Sequence, residues 1–176
     1  MNERVGLYSS SLYDVASEEH CEKEVYECLS EIKRILSENG EYAAIVSSAS
    51  IPSVEREKLI DEAFGAFVHP FVLNFMKLLA QKRLFYIFED VAKEYEKTYF
   101  KNNNIEHASI TTAIELDDEK KKSIVERIEK TMGKKIIPSF LVDASILGGI
   151  VIETENSNID ASVTGALGSI KRFLRN

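Results

Sequence analysis

From Pro70 to Leu84 apolar side chains occupy nearly every face of a helix instead of one stripe, and between Pro70 and Ala80 only Asn74 and Lys77 interrupt them. A helix of that kind needs neighbours on all sides. This segment is therefore expected at the centre of a helical bundle, with Pro70 in its first turn, where a missing N–H costs nothing.

The neighbours are legible on either side. Val5, Tyr8, Leu12, Val15 and Ala16 recur at three and four residues and predict an amphipathic first helix from about Glu3 to Ser17. Ser9, Ser10 and Ser11 lower its propensity. Beside Tyr8 they would leave a shallow place for another helix, unless they are simply solvated. A second helix, from about Glu19 to Ser37, carries Val25, Cys28, Leu29, Ile32, Ile35 and Leu36 on one face and ends at Asn39-Gly40. A short piece, Tyr42 to Val46, leads to Ser50-Ile51-Pro52-Ser53, where Ser53 is placed to cap a fourth helix with Glu55 and Glu57 in its first turns. Leu59, Ile60, Ala63 and Phe64 are its expected buried side, and Gly65 its end. Arg83 to Phe100 completes the set, with Phe85, Ile87, Phe88, Val91, Ala92, Tyr95 and Tyr99 inward. Six helices joined by short connections make an N-terminal bundle.

At Lys101-Asn102-Asn103-Asn104 the pattern changes. Ile110, Thr112, Ile114 and Leu116 alternate with polar or small residues, the mark of a half-buried strand. Asp117, Asp118 and Glu119 then open a helix with Ile124, Val125, Ile128 and Met132 at helical spacing, closed by Gly133 with Lys134 and Lys135 at its negative end. Ile136-Ile137, Phe140 to Val142 and Ile150 to Ile152 read as short strands broken by Pro138 and by Gly148-Gly149, and Glu155 to Asn158 as a turn. Val163, Ala166, Leu167, Ile170 and Leu174 predict a terminal helix capped by Asp160 or Ser162 and weakened by Gly165 and Gly168, about 1 kcal/mol each relative to Ala. The fold class is α+β: a helical bundle over residues 1–104 and a small α/β domain over residues 105–176.

Composition narrows the partners. The 176 residues carry a net charge of −7, with 12 Lys/Arg against 18 Asp/Glu through Ile105 and 10 against 11 afterwards. An acidic surface without a basic stripe argues against nucleic acid and against adsorption to anionic lipid. The longest apolar run, Phe64 to Leu84, contains His69, Pro70, Asn74, Lys77, Lys82 and Arg83 and falls short of the ~18 to 20 clean residues a membrane span needs. Met-Asn-Glu-Arg-Val-Gly has neither a signal core nor transit-peptide character, so a cytoplasmic start is expected. Cys21 and Cys28, seven residues apart on one helix, would be separated by about 10.5 Å of rise, beyond the roughly 7 Å a disulfide spans.

Catalytic chemistry finds no footing. His20, His69 and His107 lie far apart, without the i, i+4 ligand spacing of a helical zinc site. Gly148-Gly149 precedes a strand, whereas phosphate-cradling glycines precede a helix, so a bulge or close strand approach is the better reading. The acids at 117–119 suit a helix start, and Lys120 to Lys122 a solvated face. No Gly-x-Ser-x-Gly, Cys-x-x-Cys or His-Glu-x-x-His occurs. No enzyme activity, cofactor, metal or small-molecule ligand is expected.

Three groups of residues point to a family. Tyr8-Ser-Ser-Ser-Leu12 in the first helix, Asn74-Phe75-Met-Lys-Leu-Leu79 with Arg83 at the centre, and Asp143-Ala-Ser-Ile-Leu-Gly-Gly-Ile150 followed by Ile159-Asp-Ala-Ser162 occur in this order along nearly the whole chain. Together they resemble the delta subunit of rotary F-type ATP synthases, whose mitochondrial relative is the oligomycin-sensitivity-conferring protein. The family usually has Ala where Ser9 and Ser11 stand and Gly where Ala161 stands. The resemblance implies a non-catalytic stator subunit. Its bundle would bind N-terminal helices of the alpha subunit, and its C-terminal domain the b subunits of the peripheral stalk, coupling ion flow to ATP synthesis. It also implies a bacterial cytoplasmic location, peripheral to the inner membrane as part of the complex. The family's helix groove maps to Tyr8, Ser11, Leu12 and Val15 with Phe75, Leu78 and Leu79, while Asn74, Arg83, Gly148, Gly149, Asp160 and Ser162 are motif positions of structural character. For Phe75 and Leu79 plain bundle core is an equal alternative. A helical adaptor unrelated to ATP synthase is the competing reading, and the Gly-Gly and Asp-x-Ser tail argues against it.

Overall fold

The computed structural model describes residues 3–48, 50–146, 148–154 and 157–160. Over these the chain forms α1 (Glu3–Glu18), α2 (Glu22–Glu38), α3 (Gly40–Ser47), α4 (Ser53–Phe64), α5 (Pro70–Gln81), a 3-10 turn (Phe85–Ile87), α6 (Phe88–Asn102), β1 (Ile105–Thr112), α7 (Asp118–Met132), β2 (Lys135–Val142), β3 (Ile150–Thr154) and β4 (Asn158–Asp160). The architecture is α+β. Two compact units divide it, Met1–Tyr99 and Phe100–Asn176. The expected terminal helix, with Ser162, Gly165 and Gly168, lies outside the described residues.

In the first unit α5 is the hub. It touches α1, α2, α4 and the 3-10 turn, and buries Val72, Phe75, Met76, Leu79 and Ala80. Each of the four larger side chains contributes about 1.5–3 kcal/mol when fully buried, so this helix anchors the unit. It ends three residues earlier than the apolar pattern suggests. Arg83 adopts a left-handed φ of 59°, and its N–H and that of Leu84 return to the Ala80 and Leu79 carbonyls at 3.2 and 2.8 Å. That closing motif satisfies the orphan carbonyls and reverses the chain. The expected helix from Arg83 therefore starts only at Phe88, after the 3-10 turn, although its seven apolar residues are all buried.

Three helical faces differ from their periodicity. In α1 the inner positions are Val5, Ser9, Leu12, Tyr13 and Ala16, not Tyr8 and Val15. Tyr13 sets this rotation by packing on Tyr95 of α6, ring centroids 5.3 Å apart. The Tyr95 hydroxyl donates to the Glu22 carbonyl at 3.2 Å, and burial pushes its pKa up, so it stays a donor. In α2, Cys28 and Ile35 are only half-buried beside Val25, Leu29, Ile32 and Leu36, and both cysteines are free thiols. In α4 the inner stripe is Arg56, Ile60 and Phe64, with Ala63 exposed and Leu59 half-buried. Pro52, not Ser53, occupies its N-cap, without a side-chain cap bond. Gly40, expected to end α2, opens α3 instead.

In the second unit the sheet order is β2-β1-β3-β4. β1 runs parallel to β2 (Ile110 opposite Phe140) and antiparallel to β3 (Ile110 opposite Ile152). A parallel pair requires a crossover, and α7 supplies it. The helix is capped by the Asp117 carboxylate accepting the Lys120 N–H at 2.8 Å and closed by Gly133 at a φ of 65°, both as its sequence predicts. Ala108, Ile110, Ile128, Ile136 and Ile152 form the core, with Ile124, Val125, Met132, Phe140 and Ile150 packed against it.

β1 is displaced from its expected position. It begins at Ile105 and stops at Thr112, leaving Ile114 69% exposed. The polar pair Glu106-His107 hid its beginning. Glu106 is nearly buried in the strand because Lys134 reaches it at 2.6 Å. β2 continues through Pro138, which an edge strand tolerates since a missing N–H on the open side breaks no ladder. Asn158 opens a fourth strand where only a turn was expected.

Candidate partner-binding face

Helices α1 and α5 meet through Tyr8 and Phe75, whose rings pack edge to face with centroids 6.2 Å apart. Tyr8 is half-buried and Phe75 is buried. Around this joint the two helices leave apolar side chains uncovered. On α1, Leu7, Ser11 and Val15 fall at i, i+4 and i+8, which is one stripe of a helix. All three are exposed, Leu7 at 64% and Val15 at 41%. On α5, Asn74 and Leu78 fall at i and i+4 and are exposed too, Leu78 at 38%.

The residues expected to line a groove thus separate into two layers. Ser11, Val15 and Leu78 are at the surface and Tyr8 at its margin, whereas Leu12, Phe75 and Leu79 are buried and form the floor beneath. Leu12 lies on the inward stripe with Tyr13 and Ala16. Leu7 is an exposed apolar residue that the expected set omitted. Its only sequence signal is the four-residue spacing to Ser11 and Val15.

Charge is sparse on α5 across this face. Lys77 lies beside Asp61 of α4 at 2.5 Å. The α1 stripe is crossed by hydroxyls, and Ser10 returns its own to the Leu7 carbonyl at 3.0 Å. On α1 the exposed Arg4, Asp14 and Glu18 lie on the side of the helix that carries Leu7, Ser11 and Val15. The uncovered apolar residues are thus bordered by charge, which suits an amphipathic helix docking through anchors at three- and four-residue spacing.

The motif positions farther along have structural settings. Arg83 holds the left-handed residue after α5, and Asn74 is exposed on α5. Gly148 and Gly149 have φ of 131° and 88°, conformations that glycine adopts at little cost, immediately before β3. Asp160 pairs with Val151 across the β3–β4 ladder. The double glycine and the aspartate, eleven residues apart in sequence, are thereby brought to one end of the sheet. Ser162 lies outside the described residues.

The three histidines are each placed structurally. His20 takes a left-handed φ of 54° between α1 and α2, His69 Nδ1 accepts the Phe71 N–H at 3.4 Å at the start of α5, and His107 packs on Phe100 with centroids 4.9 Å apart. Among the described residues no group of three or more His, Cys, Asp or Glu could hold a metal ion, and no helix is long and apolar enough to cross a membrane.

Comparison with known proteins gives a consistent picture. The family model described as ATP synthase delta (OSCP) subunit matches residues 5–174. The ATP synthase subunit delta of Clostridium botulinum (strain Loch Maree / Type A3) is 28% identical over 167 residues, covering 95% of this chain and 93% of that protein. That of Gemmatimonas aurantiaca is 31% identical over 144 residues, 82% of this chain and 78% of that one. Among solved structures, a chain of the Toxoplasma gondii mitochondrial ATP synthase hexamer superposes with a TM-score of 0.69 over 98% of this chain and 97% of its own length, at 15% identity. At that identity the likeness speaks for the fold alone.

Proposed function

The chain belongs to the ATP synthase delta (OSCP) subunit family, and from that premise we propose that it is a non-catalytic stator subunit, holding the catalytic head to the peripheral stalk so that ion flow drives ATP synthesis. The N-terminal six-helix bundle, residues 1–104, binds an N-terminal helix of the alpha subunit. The C-terminal α/β domain, residues 105–176, binds the b subunits. The protein sits peripherally on the cytoplasmic face of the cell membrane, carried there by the complex.

The observation that carries this reading is the uncovered strip of Val15, Ser11 and Leu7 on α1 with Leu78 on α5, flanking the Tyr8–Phe75 joint. A load-holding joint needs affinity: a Kd near 1 nM corresponds to about 12 kcal/mol. One shallow strip is a modest source, so attachment at both domains, acting together, supplies the remainder. Holding requires no titratable group or bound cofactor.

The test is calorimetric titration of the full chain with a peptide of the alpha subunit's N-terminal helix. Val15→Asp and Leu78→Asp, both at exposed positions, are expected to weaken binding tenfold or more while leaving the helical circular dichroism unchanged. Undiminished binding by both variants would remove the α1–α5 face from the reading.

A further inference from the structure

Arg56 lies in the first turn of α4 and is 2% exposed. It shares the inward stripe with Ile60 and Phe64, an apolar setting for a permanent cation. Its Nε and Nη1 are buried and have no hydrogen-bond partner among the described residues. Unpaired buried guanidinium donors are rare because the lost hydration is returned only by an acceptor.

The same turn presents further donors. The first N–H groups of any helix lack intrahelical acceptors and carry the positive end of its dipole. Here Pro52 at the N-cap offers no side-chain oxygen. Its carbonyl takes the N–H groups of Glu55 and Arg56, at 3.1 Å each, while those of Ser53 and Val54 meet no acceptor among the described residues. Helical side chains lean toward the N-terminus, which directs Arg56 back over this turn. The neighbouring acids do not neutralise it. Glu57 accepts from Gln81 at 3.0 Å, and Glu55 is exposed, about 100° around the helix from Arg56.

We propose that the first turn of α4 and the buried Arg56 form a site for an oxyanion, a carboxylate or phosphate group arriving from outside the chain. Guanidinium and helix-terminal N–H groups are the donors such groups bind best. The inference is independent of the stator reading.

Its test is an NMR titration of the full-length 15N-labelled protein with inorganic phosphate, and separately with acetate, at an ionic strength held constant with chloride. Saturable shifts are expected at the Ser53 and Val54 amides and at Arg56 Nε–H. Arg56→Met should raise the dissociation constant roughly tenfold or more, as expected for losing a charge-assisted hydrogen bond. Saturation by both anions identifies a carboxylate-type site, and saturation by phosphate alone a phosphate site. If neither anion saturates these signals, or the amide shifts persist undiminished in Arg56→Met, the proposal is overturned. Should that variant fail to fold, the wild-type titration still decides, because the shifts either localise to these three N–H groups or do not.

Discussion

Tyr8 and Phe75 join α1 to α5 edge to face, 6.2 Å between ring centroids, and every exposed apolar residue of the proposed binding face flanks that contact. Aromatic pairs of this geometry contribute about 0.5–1.5 kcal/mol beyond the area they bury. Tyr8→Ala should lower unfolding free energy by about 1–2 kcal/mol in urea and also weaken binding of an alpha-subunit helix. Lost binding with unchanged stability would mean that Tyr8 contacts the partner without bracing the two helices.

Ser9 is a polar residue on the inward stripe of α1, 1% exposed, and its hydroxyl has no partner among the described residues. An unsatisfied buried hydroxyl costs about 1–3 kcal/mol, and Ala is the better helix former. Ser9→Ala is therefore expected to stabilise the protein by about 1 kcal/mol or more, read as a raised denaturation midpoint with an unchanged slope. Destabilisation would show that the hydroxyl is satisfied in solution.

Arg83 occupies a left-handed conformation after α5, where Gly carries no Cβ penalty. Arg83→Gly should stabilise by about 1 kcal/mol. A loss of stability instead would assign the arginine side chain an interaction that outweighs backbone strain.

The cap of α7 makes stability depend on pH. Hydrogen bonds from the Lys120 side chain and backbone hold the Asp117 carboxyl below the usual carboxylate range. A depressed folded-state pKa contributes stability above the unfolded value, about 3.9, that is lost as pH falls through the folded value. Asp117→Asn keeps a capping oxygen without the charge. Thermal melts should show the wild type losing stability more steeply than this variant below about pH 4, the two converging once the carboxyl is protonated. Parallel profiles would exclude Asp117 as the source.

Those local features were readable before any coordinate. Acids at the start of α7, Gly133 at its end and the all-round apolar character of α5 are short-range facts, because caps, dipoles and helical periodicity act within a few residues. So was the change of period after Asn104, which separates helical from strand-forming sequence. The family motifs added an expected binding face and assigned it to α1 and α5.

Tertiary structure decided how each element is turned and what it meets. Periodicity marks an apolar stripe on α1 but not its centre, and Tyr13 packing on Tyr95 rotated Tyr8 and Val15 to the margin while drawing Ser9 inward. Lys134 made Glu106 acceptable inside β1, and an edge position let β2 run through Pro138. Arg56 looks like a surface residue in its sequence, yet it lies on the inward stripe of α4. In each case the deciding partner is distant along the chain, and burial depends on that partner's surface rather than on the residue's own neighbours.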